Sequence, residues 1–528
     1  MTYATLAIVA LSLMSDGQAE PTPLPESSED EVVLFAFDSE SIPFTQNLRL
    51  EMRQPTRHPA NPVLQRGPEG SPDELAVQFY GSVIREGDTF RLWYVAADRA
   101  DDGLPASAHW RPAYAESKDG IHWTKPNLGL VEYHGSKDNN LILTDPSPLG
   151  MVNLKVLRDD DDPDPASRYK ITTHAYFRHR RRLGTLAPFV SADGLSWRME
   201  QSVTPVRAEL PLDALVLPPV HFEPCGGLYR WDGVYYINGQ NAMNAPRPYQ
   251  GRIVRTYRSR DFRNWSETSH IAFVRSTQHD YLGPGRSLEG EQNHEGISVW
   301  NRGNVLLGVY GRFHGAEEWK DVSVDLGLAI SNDGLHFREP LQEWTFLERG
   351  ADGEWDQGGV LQGQGFENVG DSTYIYYGAW DPRPTGKLPP VPRGGVGVAV
   401  LPRDRFGDLV VELKGEGPNE YQLPKVQCEL ITAPIPISTS VAPRMFLNAD
   451  GLGIDSQLVI ELLDENETPI NGFFGDDAAV IRQSGFRTPI TWPGLQQGIS
   501  LPDTIHLKMT FQGSKRETIR FSALYIDP

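Results

Sequence analysis

Cysteine is nearly absent: Cys225 and Cys428 are the two in a chain of 528 residues. A secreted protein stabilised by disulfides would carry more, so both read as buried free thiols in different domains. Also missing are C-x-x-C, H-E-x-x-H and G-x-S-x-G motifs, and any glycine-rich loop between a strand and a helix. The signatures of thiol redox, zinc-protease, serine-hydrolase and dinucleotide chemistry go with them. Positive charge is in deficit, with 49 Lys and Arg against 70 Asp and Glu and a net charge of −21. Nucleic acid and anionic membranes need a cationic footprint, so neither is expected as the main partner.

The apolar run from Ala4 to Met14 is too short to span a bilayer, and small residues follow at Gly17 and Ala19. Residues 1–19 therefore read as a signal peptide and 20–30 as a linker of disordered composition, which places the protein in a secreted or periplasmic setting.

Glycine (50) and proline (42) are plentiful, aromatics make up 10%, and apolar residues come in short runs. That pattern predicts an all-β chain, and its length predicts two domains or a repeat array plus a domain. One heptad recurs: SKDGIHW from Ser117, SADGLSW from Ser191, SRDFRNW from Ser259 and SNDGLHF from Ser331. Asp-Gly tolerates the positive φ of a tight turn, the Asp accepts N–H groups of its own turn, and the aromatic packs over a neighbouring hairpin. The heptad reads as a structural staple. A Gly-centred hairpin precedes each copy, as in VIREGDTFRLWYV and LYRWDGVYYING.

Two hairpins make a four-stranded blade, and repeated blades arranged radially make a propeller. Five blades are expected over 76–125, 151–200, 220–268, 294–340 and 359–403, the fifth heptad having degenerated to LPRDRFG at Leu401–Gly407. The propeller is expected over 31–410. The strands RMFLNAD, QLVIELLDEN and TIHLKMTFQG then predict a C-terminal β-sandwich over 411–528.

Inner-strand starts and second-to-third-strand loops share one face of such a ring, and the heptads lie on the other. The inner-strand starts offer Gln78, Tyr80, Asn153, His221, Glu223, His294, Glu295 and Gln362. The loops and their flanks offer His174, Arg178, Gln240, Asn241, Arg312, His314, Trp380 and Asp381. Amides and carboxylates hydrogen-bond sugar hydroxyls, and a Trp offers a flat apolar face to a pyranose. Arg180, Arg181 and Arg182 extend the basic loop around Arg178. These arginines suit an anionic sugar, or else they neutralise the acid run DDDDPDP at Asp159 to Pro165. Glu223 and Glu295 stand one blade apart. Either they form an acid/base pair, or one of them is paired with an Arg and holds neighbouring strands.

The S-x-D-G-x-x-W turns, the segment HPANPVL from His58 and the C-terminal sandwich resemble the five-bladed propeller glycosidases of families 32, 43 and 68, and more closely secreted bacterial family-32-like proteins. The resemblance implies a glycoside hydrolase with carbohydrate as its partner. In FEPC, Glu223 falls where the invertase type carries its acid. Where that type carries its Asp nucleophile and the Asp of Arg-Asp-Pro, this chain has Gln78 and Asn153. A non-catalytic carbohydrate-binding protein on the same fold is the alternative, and Asp38, Asp98 and Asp381 are the reserve carboxylates. No motif demands a cofactor, although a propeller axis can hold Ca²⁺ through oxygen ligands and water.

Overall fold

The structure is a computed structural model that describes residues 31–98, 106–240, 251–277, 290–381, 394–412, 426–437 and 443–527. The segments expected to be a signal peptide and a linker, and Asn241, lie outside the described residues. The chain is nearly all β, and its α-helix among the described residues is the single turn Pro493–Gln496.

Five antiparallel groups of strands follow one another along the chain, each called a sheet below, the first and fifth being joined by the parallel pairing of Ser82 with Gln364. The first contains Ala76–Glu86, Thr89–Ala97, Trp110–Ser117 and Trp123–Thr124. The second contains Lys155–Arg158, Tyr169–Arg178, Arg182–Ser191 and Ser196–Arg198. Leu228–Trp231, Val234–Gln240, Val254–Ser259 and His270–Phe273 form the third, and Glu291–Asn301, Leu306–His314 and Ser323–Ser331 the fourth. The fifth is Val360–Val369, Ser372–Ala379 and Val396–Pro402. Its outer strand, Thr56–Arg57, comes from ahead of the first sheet and pairs with Val400 and Ala399. The first strands of the five sheets touch in the closed order one, two, three, four, five, one.

Polar side chains cross the centre of this cycle. Buried Lys155 donates to Ser298 Oγ and to the Gln362 carbonyl, both at 3.1 Å. Gln364 spans to Leu228, accepting from its N–H at 2.9 Å and donating to its carbonyl at 2.8 Å.

Each heptad closes on itself, and those from Ser117, Ser191 and Ser331 also bind a side chain of the preceding sheet. Asp193 Oδ1 accepts from the N–H groups of Leu195 and Ser196, both at 2.8 Å, and Trp197 Nε1 donates to the Gly194 carbonyl at 3.0 Å. The same carbonyl accepts from Trp93 Nε1 of the preceding sheet at 2.7 Å. Tyr376 caps Gly120, and Tyr229 caps Gly334, in the same way. The degenerate fifth turn places Asp404 at φ 60°, where it binds Arg302 of the fourth sheet and Tyr525.

Apart from Leu143–Asp145, which runs parallel to Ser196–Arg198 in the second sheet, the remaining strands form two further sheets. One holds Val32–Phe35, Leu48–Met52, Gly407–Val411, Arg444–Asp450, Gly485–Ile490 and Arg520–Asp527. The other is built on Gln457–Leu463 and Thr504–Gln512 and includes Phe44–Gln46. Residues 31–52, expected with the five repeated units, thus hydrogen-bond to C-terminal strands, and the boundary expected at 410 falls inside Gly407–Val411. Strand alternation explains how the first of these sheets serves two cores. Leu34, Leu524 and Ile526 point into the core shared with Leu458, Ile460, Leu462, Leu507 and Trp492. Val33, Phe35, Ala523 and Tyr525 point the other way, onto Val305, Leu307, Val360 and Ile375 of the fourth and fifth sheets.

Candidate active site

The inner strands bend where they enter the mouth of the ring. Register shifts fall between Gln78 and Ser82, between His294 and Ile297, and between Gln362 and Phe366. In the fourth sheet the extra residues are Glu295, at φ 60°, and Gly296, at φ 89°. A Cβ on Gly296 would lie 2.6 Å from Asn238 Oδ1, so glycine lets the fourth sheet approach the third. The bulge thereby aims Glu295 at the third sheet.

What it meets is Gln240, at the end of the second strand of that sheet. Gln240 Nε2 donates to Glu295 Oε1 at 3.0 Å and also to Glu223 Oε2, while Gln240 Oε1 accepts from the Glu295 N–H at 3.0 Å. Glu223 sits opposite Gln240 in an isolated two-residue bridge. His221 Nε2 lies 3.2 Å from Glu223 Oε1. Because His221 Nδ1 accepts the Gly184 N–H at 3.1 Å, the ring proton sits on Nε2 and is donated to the carboxylate.

The two carboxyl groups are driven apart. Burial pushes Glu223 up, but the hydrogen bond from His221 and the field of His174 outweigh it and hold this carboxyl low, at about 2. Burial, reinforced by the neighbouring Glu223 charge, pushes Glu295 well above the usual carboxylate range. These directions favour a shared proton on Glu295 over one on Glu223. Beneath them burial draws the Lys155 amine down to about 7, with Cys225 and Glu295 opposing. Burial raises the Cys225 thiol, as do the charges of Glu295 and Glu223.

Around the pair, Tyr80 Oη and His294 Nε2 are 2.8 Å apart. Burial pulls His174 to about 4 and His294 to about 3, which keeps both rings neutral at pH 7. Trp380 lies 5.3 Å from His294, ring centre to ring centre. Gln78, Trp380 and Asp381 line a cavity of about 440 Å³ beside the pair.

Other candidates are brought near the mouth but are spent on structure. Asn153 is buried, donating to the carbonyls of Thr172 and Pro224 and accepting the His174 N–H. Gln362 donates to the carbonyls of His294 and Gly296 and so props the bulge. Arg312 pairs with Glu343 at 3.0 Å and bonds to Thr345. His314 is clamped between Glu291 and Asp325, both at 2.9 Å, which raises it to about 9. Arg178 and Arg182 pair with Glu209, leaving Arg180 and Arg181 exposed at the turn. The acid run is neutralised from elsewhere, by Lys170 and Arg230. Of the reserve carboxylates, Asp38 is tied to Arg338 and Asp98 to Arg111 and His109.

Sequence reasoning missed Arg252 and Trp110. Arg252 is buried over Phe313, 4.5 Å from its ring centre, where the charges of Glu295 and Glu223 partly offset the burial that lowers its pKa. Trp110 opens the third strand of its sheet and Arg252 lies just ahead of Val254–Ser259, and third strands begin on the same face as the inner strands, so strand direction was the available signal.

No protein-family model and no curated protein matches the chain. Among solved structures it is similar to a protein of the GH130 family of mannoside phosphorylases, which contains glycoside hydrolases that target β-1,2 mannosidic linkages in Candida mannan (16% identity, 67% of this chain and 94% of that chain, TM-score 0.44). It is similar also to a glycosyl hydrolase from Bacteroides ovatus (16%, 67% and 95%, 0.44). A third is an N-acetylgalactosamine deacetylase from F. plautii in complex with blood group B trisaccharide (15%, 68% and 96%, 0.42).

Proposed function

We propose that this chain is a five-bladed β-propeller with an attached β-sandwich, and that it acts outside the cytoplasm as a retaining glycoside hydrolase through Glu295 and Glu223. The closed cycle of first strands supports the propeller reading. The observation that carries the catalytic reading is the single Gln240 nitrogen donating to both carboxyl groups. Two N–H···O bonds meeting on one nitrogen, neither longer than 3.0 Å, leave the oxygens no more than about 6 Å apart. That suits the roughly 5–5.5 Å of retaining enzymes better than the roughly 6.5–9.5 Å of inverting ones.

In this mechanism Glu295 donates its proton to the glycosidic oxygen as the C–O bond breaks, and ionised Glu223 attacks the anomeric carbon to form a glycosyl ester. Glu295, now a carboxylate, takes a proton from water, and the resulting hydroxide equivalent displaces Glu223. A sulfated or uronic substrate would find Arg180 and Arg181 at the rim.

Full engagement of Asn153 and the presence of Gln78, where the related hydrolases carry Asp, favour the second reading, a carbohydrate-binding propeller without catalysis. A screen of neutral, uronic and sulfated oligosaccharides for new reducing ends tests both. Product from wild type, lost in Glu223→Gln and Glu295→Gln, supports the hydrolase; saturable binding without product from any of them supports the second reading.

A further inference from the structure

The cavity beside the carboxyl pair differs in chemistry from the pair itself. Its described lining includes Trp110, Trp319 and Trp380 with Leu75, Val77 and alanines, and its polar side chains among the described residues are Gln78 and Asp381. Trp319 and Trp380 meet at 5.5 Å and 84°, so one indole offers a face where the other offers an edge. A hexose would bring several hydroxyl groups into this space, and those without partners would lose their water for nothing. An aromatic ring carries no such cost. At about 440 Å³ the cavity is roughly three times the ~150 Å³ that accommodates benzene in an apolar protein interior, room enough for two fused rings.

Its position around the ring indicates which part of a substrate it meets. Glu223 stands on the third sheet and Glu295 on the fourth, and the cavity follows between the fourth, fifth and first. Trp380 touches His294, the chain neighbour of Glu295. Trp110 and Trp380 also pack on the apolar floor of Tyr80, Cys225 and Leu361 beneath the pair. The cavity is thus on the Glu295 side, where the departing group of a glycoside sits when Glu295 protonates its oxygen.

We propose that this three-tryptophan cavity is a site for an aromatic ring, which on the hydrolase reading above receives the leaving group of an aryl glycoside. Such a site would select phenolic glycosides over simple alkyl ones. Equilibrium dialysis with 2-naphthol, and separately with a methyl hexopyranoside, tests it without requiring catalysis. Wild type and Glu223→Gln are both expected to bind naphthol at one saturable site. Trp380→Ala should weaken binding by about tenfold or more, and so should Trp319→Ala, whose indole is 41% exposed and contributes little to folding. Binding that is absent, or unchanged in both tryptophan variants, overturns the proposal, as does a methyl hexopyranoside that displaces naphthol. If naphthol binds as expected and no glycoside is cleaved, the aromatic site stands and the hydrolase reading falls. If glycosides are cleaved without naphthol binding, the reverse holds.

Discussion

Glu223 and Glu295, on neighbouring sheets, accept hydrogen bonds from the same nitrogen, Nε2 of Gln240. One of them also accepts a hydrogen bond from His221, and the other is buried against the charge of the first. On the proposed mechanism this asymmetry makes Glu223 the nucleophile and Glu295 the acid, and both the pair and the frame that holds it can be tested.

Substitution should separate the roles. Glu295→Gln and Glu223→Gln should each lose roughly 10² to 10⁴ in rate on unactivated oligosaccharides. On nitrophenyl glycosides kcat/KM of Glu295→Gln should be largely spared, because such a leaving group needs little protonation, while its kcat falls for want of a base to activate water; Glu223→Gln should remain impaired in both. Steady-state kinetics on both substrate classes checks this; the opposite pattern would restore Glu223 as the acid.

Stability should shift with pH in a set direction. The folded pKa of Glu295 is raised, so its stabilising share is full below the unfolded value of about 4.3 and falls as pH rises through the folded pKa. Glu295→Gln has no proton to lose. Its melting temperature relative to wild type should therefore rise as pH is raised above about 4.3. For Glu223, whose pKa is lowered, the share is present above about 4.3 and is lost as pH falls towards about 2. A flat difference for Glu295→Gln across this range would remove the raised pKa.

The turns should matter for the fold alone. Asp193→Ala removes the acceptor of two backbone N–H groups and should cost about 1–3 kcal/mol in denaturant unfolding. Ligand preference should be unchanged at permissive temperature. An altered preference in a folded variant would place these turns at the site.

Restoring an Asp at Asn153 should not create a catalyst. Asn153 Nδ2 donates to two buried carbonyls, and an ionised Asp would face both without a proton to give. Asn153→Asp should lose about 2–4 kcal/mol and gain no activity. Enhanced turnover would show that this position belongs to the reaction.

The repeated turns were legible because their hydrogen bonds are local: Ser191, Asp193, Gly194 and Trp197 satisfy one another within seven residues. The closing strand Thr56–Arg57 was not, since two residues paired with Ala399 and Val400 leave no periodic trace. Nor was the placement of Val32–Phe35, whose alternation fits either core. At the mouth the sequence named Glu223, Glu295 and Gln240 but could not separate them from Asn153, Gln362 and Arg312. A polar residue at an inner-strand start reads the same whether it faces ligand or bridges the carbonyls of the next strand.

The ionisation split is the centre of this account, and infrared difference spectroscopy measures it without any substrate. At pH 7 the spectrum of wild type minus Glu295→Gln should contain the stretch of a protonated carboxyl group. Wild type minus Glu223→Gln should contain the bands of an ionised carboxylate. A protonated carboxyl assigned to Glu223, or none lost in either variant, would contradict the assignment of acid and nucleophile.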